Sequence, residues 1–207
     1  MTRYFLPMLA MLACTPAAAQ QPFPRFEITP FAAYRIGGTF EDEDTGQDFE
    51  LDENGGFGIT LNMLADANTQ YEFTWSRQAT DLDLTELDGF NDKFGLDVDY
   101  YQLGGTYMFD GKLTRPYIVA TLGAARYMPE PSDISTETYF AFSIGGGWKF
   151  FPTRRLGLRL EGRFYGTVLS GSSAIFCSSG DTSGCLVRAT GNILWQWEIN
   201  AGASFRF

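Results

Sequence analysis

The sequence contains no histidine in its 207 residues. Histidine is the usual general base near neutral pH and a common metal ligand, so its absence argues against the most frequent catalytic and metal-binding chemistry. Basic residues are also scarce, because 15 Lys and Arg stand against 25 Asp and Glu and give a net charge of −10. An acidic chain repels nucleic-acid phosphates. Since no basic stripe offsets this repulsion, we predict no nucleic-acid partner.

Long apolar runs are missing as well. Beyond the N-terminal segment, no stretch approaches the ~20 consecutive apolar residues that a transmembrane helix needs. Hydrophobic residues nevertheless make up 44% of the chain and aromatic residues 16%, which argues against disorder and suits one folded domain. If this chain crosses a membrane, it must do so as a closed β-barrel, because only helices and closed barrels satisfy every backbone polar group in lipid.

Residues 1–19 have the features of a cleavable signal peptide. Arg3 precedes an apolar run, and Ala17–Ala19 provide a small-residue cleavage site. We therefore expect residues 20–207 to form the mature domain, exported to an oxidising compartment. Lipoprotein processing at Cys14 is the alternative, although the residues before it match a lipobox poorly.

The rest of the chain alternates between apolar and polar residues with a period of two. Between Trp195 and Phe207, the odd-numbered positions are aromatic or aliphatic, and the even-numbered positions are polar or glycine. Such alternation over about ten residues predicts a β-strand with one apolar and one polar face. In the segment 115–128, the odd-numbered and the even-numbered positions are both largely apolar. The inward face of this strand is therefore assigned only from Arg126. We predict no helix and eight strands, at residues 26–36, 57–63, 70–76, 101–109, 115–128, 140–150, 156–165 and 195–207.

The connections between these strands alternate in length. Three are short, at residues 65–69, 110–114 and 152–154, and four are longer, at residues 37–55, 79–97, 129–137 and 170–191. Short periplasmic turns and long extracellular loops are typical of outer-membrane barrels, and an even number of strands then places both termini in the periplasm. The predicted fold class is all-β, an eight-stranded antiparallel up-and-down transmembrane β-barrel.

A soluble eight-stranded barrel is the structural alternative, and it would be apolar inside and polar outside. On the apolar face of the predicted strands, large aromatic residues lie near the strand ends. This distribution is typical of the aromatic girdles that lie at the two membrane interfaces. A basic side chain facing lipid at the midplane costs about 2–4 kcal/mol, so in a membrane the ionic face must be the lumen. The predicted lumen set comprises Glu27, Arg35, Glu72, Arg126, Lys149, Arg159, Glu161, Arg163, Glu198 and Arg206.

The interior of an eight-stranded barrel is just wide enough for side chains to fill it. Because buried charges persist only when they are paired and hydrogen-bonded, we predict that this lumen set forms ion pairs that plug the barrel. A water-filled path that favours anions is the alternative, since the set contains more basic than acidic residues.

Three stretches of this sequence carry a resemblance to a known family. They are the Gly-rich strand Ser143–Phe151, the following strand Leu156–Tyr165 and the closing segment Ala201–Phe207. The chain resembles the small outer-membrane β-barrel proteins of Gram-negative bacteria, the OmpA-like and OmpX-like group. The resemblance implies that Phe205 and Phe207 belong to a C-terminal assembly signal read by the barrel-insertion machinery. It implies no particular activity, because functions in this group differ widely on one scaffold.

Some related barrels are enzymes, and the resemblance therefore raises the question of catalysis. The catalytic sets of those lipid A-modifying enzymes, phospholipases and proteases include a histidine, which this chain lacks. A pairing of Lys149 with Ser143, or of Glu72 with Glu161 or Glu198, is the remaining alternative. Structural ion pairs are the favoured interpretation, and we predict no catalytic residue, no cofactor and no metal site.

Acidic residues concentrate in the first two long loops. Residues 41–53 contain eight acids and no base, and residues 81–99 contain seven acids beside Lys93. A solvated, self-repelling surface is the simpler interpretation, because neither segment has a calcium-loop pattern. The functional hypothesis is low-affinity binding of divalent cations beside lipopolysaccharide.

Cys177 and Cys185 flank a Ser/Gly-rich loop tip and are the only cysteines of the expected mature domain. Export and an even cysteine count predict a disulfide between them. In sum, we predict a non-enzymatic outer-membrane barrel with a structural or surface-interaction role through acidic extracellular loops. Its expected partners are outer-membrane lipid, lipopolysaccharide and the insertion machinery. The alternative is a porin-like narrow channel or a conduit for hydrophobic small molecules.

Overall fold

The computed structural model describes residues 25–42, 48–50, 53–82, 94–129, 135–169, 174–177, 185–190 and 193–207. The expected signal peptide at residues 1–19 lies outside these ranges, and so do Cys14, Lys93 and much of the two acidic loops. Within the described ranges, no helix has the length and apolar character needed to cross a membrane.

Twelve β-strands occur in the described ranges. They are β1 (Phe26–Ile36), β2 (Thr39–Asp42), β3 (Asp48–Glu50), β4 (Asn54–Leu64), β5 (Thr69–Leu82), β6 (Phe94–Met108), β7 (Thr114–Pro129), β8 (Glu137–Phe150), β9 (Leu156–Val168), β10 (Ala174–Cys177), β11 (Cys185–Thr190) and β12 (Ile193–Arg206).

Eight of these strands close into a barrel in the order β1-β12-β9-β8-β7-β6-β5-β4. All neighbouring strands are antiparallel, and β1 pairs with both β4 and β12 to close the ring. The predicted fold class is therefore confirmed, and all eight predicted strands are present. The barrel strands β5 and β6 are longer than predicted and reach Leu82 and Phe94, into a segment that the sequence pattern assigned to a loop.

The remaining four strands form a second small sheet in the order β10-β11-β2-β3. It joins the first and last long connections, because β2 pairs with β11 through Asp42 and Ala189. Gly37 and Gly38 link β1 to β2 with φ values of 86° and 113°, a backbone conformation that glycine adopts without steric cost. The sequence pattern assigned both connections to loops, so this sheet was not predicted.

One end of the barrel, which we call the turn end, carries the three short turns, the beginning of β1 and the end of β12. Phe26 and Phe207 exchange backbone hydrogen bonds there, with N···O distances of 3.1 and 3.0 Å. In the β4–β5 turn, the Asp66 carboxylate accepts hydrogen bonds of 2.8 Å from the backbone N–H groups of Asn68 and Thr69. These bonds stabilise the charged carboxylate and lower the pKa of Asp66. The opposite end of the barrel is called the loop end.

The two faces of the barrel wall differ sharply in polarity. On β9, Leu158 and Leu160 are each 56% exposed on the outside, whereas Arg159 between them is 2% exposed. Trp197 and Ile199 on β12 are likewise exposed, and Glu198 between them is buried. An apolar exterior around a polar interior is the inverse of a soluble barrel and excludes that alternative for the described residues.

Candidate functional site

The barrel interior brings together nine charged side chains, which we call the interior charge network. Each lies on an inward-facing position because successive side chains of a strand point to opposite faces. The network consists of Glu27 and Arg35 on β1, Glu72 on β5, Lys149 on β8, Arg159, Glu161 and Arg163 on β9, and Glu198 and Arg206 on β12. All nine belong to the predicted lumen set.

The middle of the network is a closed ring of four alternating charges. Arg163 contacts Glu72 and Glu161 with N···O distances of 2.6 Å each. Arg159 contacts the same two carboxylates, at 3.0 Å to Glu72 and with a shorter contact to Glu161. All four side chains are at most 2% exposed. The ring is therefore electrically neutral and shielded from solvent.

Neutral side chains satisfy the remaining acceptor capacity of this ring. Thr106 and Asn62 donate to Glu72 at 2.7 and 2.9 Å, and the Tyr117 hydroxyl donates to Glu161 at 2.5 Å. Charge-assisted hydrogen bonds of this kind are about twice as strong as neutral ones. Pairing together with full hydrogen bonding is what makes buried charge tolerable in a low-dielectric interior.

At the turn end, Glu27 bridges two bases. Its carboxylate contacts Lys149 Nζ at 2.7 Å and Arg206 Nε at 2.9 Å. Lys149 also donates to the Gln70 side chain at 2.8 Å. The lysine is fully buried, whereas the Arg206 side chain keeps 19% of its surface exposed. This group closes the lumen below the central ring.

Toward the loop end, Arg35 forms the third group. Its guanidinium contacts Glu198 at 2.5 Å and lies over the rings of Tyr100 and Tyr165, with 4.7 and 5.0 Å to the ring centroids. Cation–π contacts of this geometry gain strength when the cation is desolvated. Beyond this group the interior carries no buried charge among the described residues but mixes apolar and neutral polar side chains. Its buried residues there include Leu96, Val98, Tyr127 and Leu194 beside Gln78, Thr80 and Thr167.

One residue of the predicted lumen set is placed elsewhere. Arg126 is exposed on the outer face, so its assignment to the lumen was wrong. The inward-facing residues of β7 are Tyr117, Val119, Thr121, Ala125 and Tyr127. Both parities of this strand are apolar, and a single charge near its end was therefore a poor guide to its inward face. Arg126 lies beside Asp99 of β6 in the backbone register, near the loop end.

The same outer region contains an ion pair that sequence reasoning missed. Arg77 on β5 donates two hydrogen bonds of 2.6 Å to the carboxylate of Asp99, which is 1% exposed. The sequence pattern counted Asp99 among loop acids because β6 was predicted to begin later. The sequence did indicate an outward base, because Arg77 continues the alternation of Phe73 and Trp75 and so lies on the same apolar face.

The alternative catalytic pairings do not meet in the structure. Lys149 bonds Glu27 and Gln70, whereas the Ser143 hydroxyl donates to Gln102 at 2.7 Å in a separate group. Glu72 and Glu161 share the central ring, but arginines bridge them, and Glu198 belongs to the Arg35 group. Among the residues that the structure describes, no group of three or more Cys, Asp or Glu could hold a metal ion.

The small sheet contains the other predicted site residues. Cys177 on β10 pairs directly with Cys185 on β11 in the backbone register. Glu41 on β2 similarly pairs with Asp48 on β3. Most other members of the two acidic loops, including residues 83–93, lie outside the described residues.

Comparisons with known proteins agree with this architecture. The sequence matches the family described as "Outer membrane protein beta-barrel domain" over residues 5–207. The structure is similar to Neisserial surface protein A, with 14% identity, a TM-score of 0.61 and coverage of 88% of this chain and 97% of that one. It is also similar to OprG from Pseudomonas aeruginosa, with 12% identity, a TM-score of 0.55 and coverage of 89% and 96%. At these identities the likeness shows the fold alone. No curated protein sequence matches the chain.

Proposed function

Since the chain belongs to the outer membrane protein β-barrel family, we propose that it is a non-enzymatic integral protein of the bacterial outer membrane with a closed lumen. Its role would then be structural or surface-interacting. The turn end would face the periplasm, as short turns do in such barrels, and the small sheet would lie outside the cell. The missing histidine and the separation of Lys149 from Ser143 support the non-enzymatic part of this proposal.

The observation that carries the proposal is the span of the central ring. In the strand order of the barrel, β9 and β5 are four places apart in a ring of eight and therefore face each other across the lumen. Arg159 and Arg163 on β9 nevertheless contact Glu72 on β5 directly. Side chains thus bridge the full width of the barrel, which leaves little room for ions or solutes to pass.

Planar-bilayer recording tests the closed lumen. We expect the wild-type protein to show no large, steady conductance. The variant Glu72→Ser/Arg159→Ser/Glu161→Ser/Arg163→Ser removes two acids and two bases, keeps the net charge and shortens every side chain of the ring, so we expect its conductance to exceed that of the wild type. Lys112→Gln in the β6–β7 turn is the control and should remain closed. Steady conductance by the wild type would refute the proposal.

The acidic loops support a surface role for divalent cations beside lipopolysaccharide. The backbone register sets Glu41 opposite Asp48, and residues 41–53 contain eight acids and no base, a charge balance that attracts cations. Isothermal titration calorimetry with calcium and magnesium at millimolar concentration tests this. Heat of binding that disappears in Glu41→Gln/Asp48→Asn supports the role, and absence of uptake by the wild type refutes it.

Assembly through the C-terminal strand is the other part of the proposal. Phe205 and Phe207 are 46% and 64% exposed on the outer face, where another protein can reach them during insertion. Phe207 also stacks on Phe26, with 6.0 Å between ring centroids. In cells, we expect Phe207→Ala to lower the amount of barrel in the outer membrane, whereas Phe109→Ala in a different turn should lower it less. Equal levels for the two variants would count against an assembly signal.

A conduit for hydrophobic small molecules is the second candidate. The observation that favours it is that Val98 and Leu194 are buried in the interior at the loop end, above the Arg35 group, although Gln78 and Thr167 lie beside them in the register. Uptake of a fluorescent hydrophobic probe into proteoliposomes distinguishes the candidates. Faster uptake than into protein-free liposomes, slowed by Val98→Asp but unchanged by Leu122→Ala on the outer face, would replace the structural role with transport.

A further inference from the structure

The outer face of the barrel has a groove along the seam where β1 meets β12. Two adjoining depressions form it, one of about 860 Å³ nearer the turn end and one of about 560 Å³ above it. Ala32, Trp148, Leu160 and Ala201 line both depressions. We call this combined depression the seam groove.

Small outward-facing residues create the seam groove. Pro30 and Ala32 on β1 and Ala201 and Ala203 on β12 are all exposed on the outer face. On the neighbouring part of the wall, Trp148 is 58% exposed and projects beyond these short side chains. The outer surface is therefore recessed along the seam relative to the neighbouring strands, and the side chains at the bottom of the recess are apolar.

The seam groove is a recess in a closed wall and not an opening into the lumen. The ladder is interrupted at one point, because Pro30 has no N–H to donate and the register between β1 and β12 has no pair at this residue. Two other observations nevertheless show that the wall is closed there. Inside the barrel, the hydroxyl groups of Thr29 and Ser204 bridge the same place at 2.8 Å. The two backbones also approach closely, since a Cβ on Gly202 would lie 2.6 Å from the Pro30 carbonyl oxygen.

Positive charge lies at the foot of the seam groove. Arg155 is exposed in the β8–β9 turn and directly precedes Leu156, which pairs with Phe205 at the foot of β12. The Arg155 carbonyl accepts a 2.8 Å hydrogen bond from the Arg206 N–H, which fixes the turn to this strand. The exposed charged residues of the turn end are mostly basic and comprise Arg25, Lys112, Arg154 and Arg155 against Asp66 and Asp110.

We propose that the seam groove binds an anionic phospholipid of the leaflet at the turn end, with an acyl chain in the groove and the phosphate at Arg155. A long apolar recess on the outer face of a membrane barrel suits an extended acyl chain, whereas its apolar lining offers no partner to a polar ligand. A guanidinium matches a phosphate because it donates two parallel hydrogen bonds to it. The inference rests on the membrane location in the proposed function and is independent of whether the lumen conducts.

Native mass spectrometry in detergent tests this site with two lipids of identical acyl chains, phosphatidylglycerol and phosphatidylcholine. We expect the wild type to retain one phosphatidylglycerol and to release phosphatidylcholine more readily. Ala201→Leu/Ala203→Leu fills the groove and should abolish retention of both lipids. Ala120→Leu, also an outward alanine but on β7, is the matched control and should bind like the wild type.

Arg155→Gln separates the phosphate contact from the acyl chain. We expect it to weaken phosphatidylglycerol binding by roughly tenfold, the effect of losing one charge-assisted contact, and to leave phosphatidylcholine unchanged. Lys112→Gln should change neither lipid. Gel mobility with and without boiling verifies that each variant has formed a barrel, and the two-lipid comparison on the wild type needs no variant.

Three results would overturn the inference. The first is equal retention of the two lipids by the wild type. The second is undiminished phosphatidylglycerol binding by a folded Ala201→Leu/Ala203→Leu variant. The third is a dimer mass in the wild type that these substitutions remove, because the groove would then hold a second copy of the chain. None of these results depends on conductance, so failure here is distinguishable from failure of the closed-lumen proposal.

Discussion

Arg163 on β9 and Glu72 on β5 form an ion pair across the whole lumen, with 2.6 Å between Nη2 and Oε1. The pair belongs to a neutral ring that also contains Arg159 and Glu161. Any single charge removed from this ring leaves an uncompensated charge in a site that water does not reach. The stability of the barrel should therefore depend on the balance of the ring more than on any one contact.

Glu72→Gln tests this dependence. We expect the free energy of unfolding to fall by about 3–5 kcal/mol, because one guanidinium is left buried without its carboxylate. The double variant Glu72→Gln/Arg163→Gln restores neutrality. Its loss in free energy of unfolding should be smaller than the sum of the losses of the two single variants. Urea unfolding in detergent micelles, followed by tryptophan fluorescence, measures both. Asp110→Asn in an exposed turn is the control, with an expected change within about 0.5 kcal/mol. Additive losses would contradict coupling within the ring.

Gly147 and Gly162 offer a matched test of how closely the strands approach. A methyl group on Gly147 would overlap the Leu160 carbonyl oxygen and lie 2.9 Å from the Glu161 Cα, whereas one on Gly162 meets nothing within 4 Å. We expect Gly147→Ala to lower the free energy of unfolding by about 1–3 kcal/mol, as overpacking does. Gly162→Ala should be neutral or slightly stabilising. Equal effects of the two alanines in the same unfolding assay would show that the wall relaxes around the added methyl.

Cys177 and Cys185 should form a disulfide in the exported protein. Their direct pairing between antiparallel strands brings the two backbones close enough for a disulfide, and the proposed export would provide the oxidising conditions. Mass spectrometry of alkylated, unreduced protein should find no free thiol, and reduction should expose two. Cys177→Ser should leave one thiol and the same gel shift on boiling. Two alkylated cysteines in the native protein would refute the prediction.

Asp66 should make the stability of the β4–β5 turn depend on pH. Backbone hydrogen bonds lower the pKa of Asp66 below its ordinary value, so its contribution is fully present above that ordinary value. The contribution is lost as the pH falls through the lowered pKa. We therefore expect Asp66→Asn, which keeps the shape but not the charge, to be less stable than the wild type at neutral pH and to approach it in acid. Urea midpoints at several pH values measure this, and a difference that is constant with pH would rule out the charge as the cause.

The barrel is largely predictable from the sequence because the wall has two faces of opposite polarity. On β9, leucines alternate with Arg159, Glu161 and Arg163, so the parity rule can be applied without knowledge of the fold. On β7 the rule fails because apolar residues occupy both faces: Tyr117 and Val119 point inward, whereas Ile118 and Leu122 point outward. Parity is informative only where the two faces differ.

Other features depend on relations between distant strands, which a single strand's pattern does not contain. The ring requires that β5 lie opposite β9 and that Glu72 stand at the right height, and both follow from strand order and register. The small sheet was missed because β2 and β11 are short and far apart in the sequence, and they are neighbours only because β1 pairs with β12 in the barrel. The seam groove is invisible in the pattern, since Ala201 and Ala203 read as ordinary apolar positions.

The placement of the central ring also constrains how the barrel enters a bilayer. Glu72 belongs to the third strand of the barrel along the chain, and Arg159 and Arg163 belong to the seventh. A partly curved sheet would carry these charges apart, facing a half-formed lumen open to lipid. Neutralisation is complete only when the opposite walls come within reach of each other. Electrostatics thus couples closure of the barrel to its insertion. A partly formed barrel exposes the unpaired charges of the ring to lipid, whereas the closed barrel keeps them paired in its interior.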